Sequence, residues 1–302
     1  MISYPNVKVN LGLNVLRRRQ DGFHDLETLF VPYFRIHDTL EITAGDDFSQ
    51  TSSSLFARYG ESGCPEDGGE RNCRIAQAIR EDGKLMITIA RAEGVDWDPL
   101  SDLTAKAYGL LDADFNLPPI KIFLEKTSPV GAGLGGGSAD CAFALKMISE
   151  LFSLGLSDET LASYASRLGS DCAFFVYNRP MTGEGRGEIL LPYDVLDYRV
   201  DGDEVYIAGH RLVVTVPSGI AVSTREAYGG IVPREKSETM LPSLAEALSL
   251  PLEQWKGMLV NDFETTVFAK HPELADIKEQ LYRDGAVYAS MSGSGSALFS
   301  LL

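Results

Sequence analysis

The 302-residue sequence contains no apolar run of about 18 residues, the length a helix needs to cross a bilayer. Nor does it open with a charged stretch followed by an apolar one, as a secretory leader would. The expectation is a soluble, untargeted protein of the cytoplasm with no membrane partner. Cysteine is scarce: Cys64, Cys73, Cys141 and Cys172 lie far apart and form no Cys-x-x-Cys pair, which fits a reduced compartment. Basic residues are also in short supply, 27 against 43 acidic ones, for a formal net charge of −16. Nucleic acids and anionic membranes both need a basic footprint, so neither is an expected partner. A small phosphorylated ligand is not excluded, because a few N–H groups and a lysine or two decide that locally. There is no internal repeat and no low-complexity tract. The 44% hydrophobic content supports one large domain or two ordinary ones.

Glycine, by contrast, is concentrated in one stretch. Residues 119–125 read as a short strand rich in β-formers, and Ser138 to Phe152 as a helix. Ala139, Ala142, Phe143, Leu145, Ile148, Leu151 and Phe152 are spaced to bury one face of that helix. Between them lie Pro129, Gly131, Ala132, Gly133, Leu134, Gly135, Gly136, Gly137 and Ser138. Glycines reach positive φ and bring backbone N–H groups close to an anion. The first helical N–H groups then point at the same place, with Ser138 expected as the N-cap. The loop does not complete a dinucleotide fingerprint, and no Gly-Lys-Ser/Thr ends it. A flexible linker would not lead straight into a patterned helix. The stretch reads as a phosphate cradle.

Tyr4 to Arg17 is the second informative stretch. Val7, Val9, Leu11, Leu13 and Val15 alternate with Asn6, Lys8, Asn10, Gly12 and Asn14, the period of a half-buried strand. Lys8, Asn10 and Asn14 thus share a face that is either solvated or lines a cleft, with Lys8 holding a phosphate. Arg17 to Gly22 reads as a turn, Phe23-His24 as the start of a strand, and Asp38 to Thr43 as another. Residues 46–83 have weak periodicity and read as an irregular excursion with short strands near Leu55 to Tyr59. A strand is expected at Leu85 to Ala90, a helix at Leu103 to Leu111 capped near Ser101, and a helix after the cap Ser157. Asp171 sits in a turn before Phe174 to Val176, read as an apolar strand; by spacing it is an ordinary turn or cap aspartate. Further strands are expected within 204–217, 286–290 and 297–301, and helices at 244–248, 262–268 and 272–284. Ser292 to Ser296 is either a tight hairpin or a second phosphate-side loop.

Three of these stretches, Pro5 to Leu11, Pro129 to Asp140 and Ser292 to Phe299, together resemble the motifs of the GHMP small-molecule kinases, in order along nearly the whole chain. Further pieces make the sequence most similar to the branch whose alcohol acceptor carries a cytidine diphosphate. They are Asp21 to His24, the triple glycine 135–137, Gly169 to Asp171, Gly185 to Glu188, Ser223 to Tyr228 and Asn261 to Glu264. The resemblance implies an α+β, two-domain fold with the active-site cleft between domains and an unusual left-handed βαβ crossover. It implies an ATP-binding domain over 1–160 and a substrate-binding domain over 161–302. Asp171 matches the catalytic base and Lys8 the lysine that steadies the transferred phosphoryl. The backbone from Pro129 through Ser138 matches the ATP phosphate site, and Asn10, Phe23, His24 and Tyr228 the cytidine diphosphate site. ATP and Mg²⁺ are the implied cofactors, with no metal ligand assigned, and the implied assembly is a monomer or homodimer. Mevalonate, homoserine or a sugar is the alternative acceptor. The sequence departs from the family at Ala139, where a second serine is usual, at Asp102 in place of Asn, and at Phe23 in place of Tyr. The stretches at 46–83 and 197–209 are longer than usual and receive no function.

Overall fold

A computed structural model describes residues 1–48, 73–236 and 241–302. In chain order the first strands are β1 (Ile2–Ser3), β2 (Asn6–Arg18), β3 (His24–His37), β4 (Thr39–Ala44) and β5 (Cys73–Ile79). They are followed by β6 (Leu85–Val95), β7 (Ile120–Lys126), β8 (Met181–Gly185), β9 (Ile189–Pro192) and β10 (Tyr198–Asp201). The last are β11 (Glu204–Ile207), β12 (His210–Thr215), β13 (Tyr288–Met291) and β14 (Leu298–Leu301). The α-helices are α1 (Leu103–Phe115), α2 (Gly136–Leu151), α3 (Asp158–Ser166), α4 (Cys172–Tyr177) and α5 (Thr224–Tyr228). Then come α6 (Leu244–Leu248), α7 (Phe263–Lys270) and α8 (Pro272–Arg283). No helix among the described residues is long and apolar enough to cross a membrane.

The chain divides into two compact units. The first holds Met1–Asn6, Ile36–Ser128 and Gly136–Tyr177; the second holds Val7–Arg35, Pro129–Gly135 and Asn178–Leu302. They are not the consecutive segments 1–160 and 161–302 suggested by the sequence. The chain passes from one unit to the other several times, and α3 runs through residue 160.

In the first unit the described strands order as β1-β4-β7-β6-β5, antiparallel except for β6 beside β7. That parallel pair is joined through α1, because parallel neighbours need a crossover. Asp102, not Ser101, caps α1: its carboxylate accepts from the N–H and hydroxyl of Thr104. Ser157 caps α3 as expected, with Asp158 and Glu159 in the first turn where the helix dipole favours them. Residues 73–79 form β5, so the later part of the excursion is a paired strand. Its weak alternation hid this, and the strands expected near Leu55 to Tyr59 lie outside the described residues. Phe174 to Val176 belong to helix α4, not to a strand. A short apolar run reads alike in either state, and the Cys172 N–H donating to Gly169 O starts helical winding.

In the second unit the orders are β2-β3-β8-β9 and β10-β11-β12-β14-β13. Strand β2 is not half-buried: Asn6 through Val15 are buried on both faces. Gly12 explains the tight cover, since a Cβ there would lie 2.6 Å from Leu259 and 2.8 Å from Leu244. Leu13, Val15, Phe263, Val267, Leu274, Met291 and Leu298 form a core beneath.

At the root of the glycine stretch, the first unit buries an ammonium and two carboxyl groups. Lys126 Nζ donates to Asp38 and, at 2.5 Å, to Asp140 Oδ2. Asp38 also accepts from the N–H groups of Thr127 and Ser128, both at 2.7 Å, and from Ser128 Oγ. Asp140 Oδ1 has no partner. Burial alone would raise Asp38, but the Lys126 charge and these donors hold it below the usual carboxylate range. Burial wins at Asp140 and pushes it well above that range, despite Lys126. One ammonium therefore faces two buried carboxyl groups whose pKa values their surroundings push in opposite directions. Asp140→Asn should change stability by less than about 1 kcal/mol, because it mimics the neutral acid, whereas Asp38→Asn should cost about 3 kcal/mol. Urea unfolding at neutral pH checks the contrast. Because the folded pKa of Asp38 is depressed, its contribution exists above the ordinary carboxylate range and is lost on acidification. The gap between wild type and Asp38→Asn should narrow as pH falls.

Candidate active site

Lys8 stands on β2 with only 3% of its surface exposed. Its Nζ donates to Asn10 Oδ1 at 2.5 Å and to Gly133 O at 2.9 Å, and lies 5.5 Å from the Phe30 ring centroid. Asn10 is itself buried; its Nδ2 donates to Thr28 Oγ1, which donates to Gly12 O at 2.6 Å. Of the predicted site residues, Lys8, Asn10 and Gly133 are thus brought together. Thr28, which fixes Asn10, carried no sequence signal beyond lying on the neighbouring strand.

The glycine loop turns its carbonyls toward this network. Leu134 O accepts from the Lys8 N–H at 2.9 Å, and Ala132 O accepts from the Ala297 N–H at 3.1 Å. Gly133 O takes the ammonium and the Ser292 hydroxyl. With successive carbonyls directed inward, none of the N–H groups of Gly131 to Gly135 donates to another described residue. Gly131, Gly133 and Gly135 all have positive φ, near +70° to +80°. Such a run of unengaged amides is a nest for an anion. Glycine is mandatory at 133, because a Cβ would lie 2.2 Å from Ser292 O. Gly293 approaches equally closely, with Gly133 O 2.9 Å from a built Cβ. Ser292 and Ser296 are buried, so the second glycine-serine turn buttresses the first loop from within.

Helix α2 starts at Gly136, so Ser138 is its third residue and not its N-cap. Gly136 cannot carry a side chain: a Cβ would meet Ser128 Oγ at 2.3 Å. Gly137 is exposed, with open space where a Cβ would be. In this first unit the Ser138 hydroxyl lies against the Cys172 thiol, which also meets Cys141. A Cβ built on Gly169 would be 3.0 Å from Cys172 Sγ and 4.0 Å from Ser138 Oγ. The start of α2 and the turn carrying Asp171 are therefore neighbours. Asp171 is half-buried and immediately precedes α4. Lys8 belongs to the second unit and Asp171 to the first.

Around the hairpin between β2 and β3, Phe23 is 54% exposed, with the Arg186 guanidinium 5.1 Å from its ring centroid. His24 stacks on Tyr228 at 4.9 Å between centroids and 22° between planes, and Tyr228 meets Phe263 edge-on. Burial, then the nearby positive charge of Arg18, holds His24 below the usual imidazole range, so the ring is neutral near pH 7. His24 and Tyr228 border a cleft of about 600 Å³ that Arg18 and Arg225 also line. Those arginines escaped the sequence reading, in which Arg17 to Gly22 was a plain turn. The signal was strand alternation. Arg17 and Arg19 both pair with Asp25, which leaves Arg18 to the opposite face.

Residues 102–179 match the GHMP kinase N terminal domain and residues 241–302 the GHMP kinase C terminal domain. A 4-diphosphocytidyl-2-C-methyl-D-erythritol kinase of Bacteroides fragilis is 41% identical over 301 residues, covering 100% of this chain and 92% of that one. Its namesake in Bacteroides thetaiotaomicron is 41% identical over 303 residues with the same coverage. A crystal structure titled 4-(cytidine 5′-diphospho)-2C-methyl-D-erythritol kinase is 29% identical with a TM-score of 0.68, covering 100% of this chain and 90% of that one. With motifs, fold and full-length identity in agreement, the chain belongs to the GHMP kinases, in the 4-diphosphocytidyl-2-C-methyl-D-erythritol kinase family.

Proposed function

We propose that this chain transfers the γ-phosphoryl group of ATP to the 2-hydroxyl of 4-diphosphocytidyl-2-C-methyl-D-erythritol, a step in non-mevalonate isoprenoid precursor synthesis. The observation that carries the phosphoryl-transfer reading is the loop whose carbonyls face Lys8 while its amides stay unengaged. The acceptor rests on the identity to relatives bearing that name, and on a neutral His24 stacked on Tyr228, suited to an uncharged pyrimidine edge.

Phosphoryl transfer demands positioning and charge stabilisation more than covalent chemistry by the protein. In this reading the N–H groups of Gly131 to Gly137 hold the ATP phosphates, with Pro129, Ala132 and Leu134 shaping the loop. Asp171 accepts the proton of the acceptor hydroxyl as its oxygen bonds to the γ-phosphorus and the bond to ADP breaks. Lys8 offsets charge on the transferring group. Among the described residues no three His, Cys, Asp or Glu side chains are grouped to hold a metal. That composition fits Mg²⁺ carried mainly by ATP oxygens, for which one or two protein groups suffice. Ser138 is the group this chain would offer to it. When bound, the ion neutralises phosphate charge. Asn10, Phe23, His24 and Tyr228 are assigned to the cytidine diphosphate end. We assign the enzyme to the cytoplasm, as a monomer or homodimer.

ADP release from ATP and Mg²⁺, with and without the cytidylylated methylerythritol, tests the whole reading. Release that needs this acceptor is the expected result. Release only with mevalonate, homoserine or a sugar would overturn the acceptor while keeping the kinase. Asp171→Asn should lower kcat roughly 10²–10⁴-fold while both substrates still bind; an unchanged kcat would remove Asp171 from the base role. Gly133→Ala should cost about a hundredfold in kcat/KM for ATP, because the loop must move off Ser292. Steady-state kinetics at varied ATP, beside a calorimetric ATP titration, would read that loss.

A further inference from the structure

In this acid-rich chain a charged arginine usually has a carboxylate beside it. Arg17 and Arg19 meet Asp25, Arg80 meets Asp82 and Asp112, and Arg234 meets Asp262. Arg18 and Arg225 have no such partner among the described residues, and both line the cleft beside His24 and Tyr228. They approach it from different parts of the chain, Arg18 from the end of β2 and Arg225 from α5. Gly22, in the same lining, has nothing within 4 Å of where a Cβ would be, which leaves room for a ligand against the backbone. A concave place with an aromatic stack and two unneutralised guanidinium groups suits a ligand with a flat ring and adjoining negative charge. Guanidinium groups match phosphate oxygens bidentately. At a net charge of −16 the protein as a whole repels a doubly negative acceptor, and this pair supplies positive charge at the cleft.

We propose that Arg18 and Arg225 grip the diphosphate of the cytidine-linked acceptor, and so select a nucleoside diphosphate over an uncharged nucleoside. This rests on the acceptor reading above and adds two specificity-determining residues to it. Beside burial, which is the larger cause, the positive charge of Arg18 also holds the stacked imidazole of His24 below its usual range.

The test uses the full chain and two competitive inhibitors of the acceptor, CDP and cytidine, on wild type, Arg18→Ala, Arg225→Ala and the double variant. Each single substitution should raise the inhibition constant for CDP roughly tenfold, the loss of about one charge-assisted hydrogen bond. Cytidine should move less than twofold, and its retained binding reports that the variants are folded. The KM for ATP should also stay within twofold. Added salt should weaken CDP on the wild type and do so far less on the double variant. CDP inhibition unchanged by the substitutions, or CDP and cytidine weakened by one common factor, would overturn the assignment. A wild type that turns over the acceptor while the arginines prove indifferent sinks this inference alone. A wild type that neither releases ADP with the acceptor nor responds to CDP takes the acceptor reading down with it.

Discussion

An ammonium removed from water must be met by oxygen, and at Lys8 Asn10 and the backbone of Gly133 both supply one. The demand for that carbonyl decides which way the glycine loop faces. Once Gly133 O points inward, with Ala132 O and Leu134 O taken by neighbouring N–H groups, the loop amides are left on the other side. A single desolvated charge thus orients the loop. The positive φ at Gly133 and the missing side chain against Ser292 follow from the same orientation.

The first unit solves a related problem with a different stoichiometry. Lys126 meets two carboxyl groups, and their unequal supply of donors separates them. Asp38 gathers hydrogen bonds from Thr127 and Ser128, while Asp140 has Lys126 alone and an oxygen with no partner. The carboxyl with few donors is the one whose pKa burial raises. Since Ser128 leads into the glycine loop and Asp140 lies in the second turn of α2, this buried group ties β7 to the helix that follows the loop.

Much of this was legible from the chain alone. The glycine run, the period of β2 and the pairing of an aromatic with histidine at 23–24 are local signals: Gly133 meets Lys8 through a hydrogen bond, and His24 lines a cleft. What failed was also local, but ambiguous. Ser138 resembles a cap until the helix is seen to begin two residues earlier, and an apolar triplet at 174–176 cannot declare helix or strand by itself. Contacts across long separations left no trace in pattern. Asp38 and Lys126 are 88 residues apart, and Asn10 and Ser292 are 282 apart. Arg18 lay in plain view inside a run of three arginines. Only the partners of its two neighbours distinguish it.

The buttress behind the glycine loop has a consequence for the order in which the protein is made. Gly133 rests on Ser292 and Gly293, and Ala132 is bonded to Ala297. A chain emerging from the ribosome has completed the loop, α2 and the turn at Asp171 long before those residues exist. Domains generally fold as they emerge, from the N-terminus onward. This loop cannot. Its shape waits for a hairpin translated more than 150 residues later. The loop reaches its final shape late, as one of the last acts of folding.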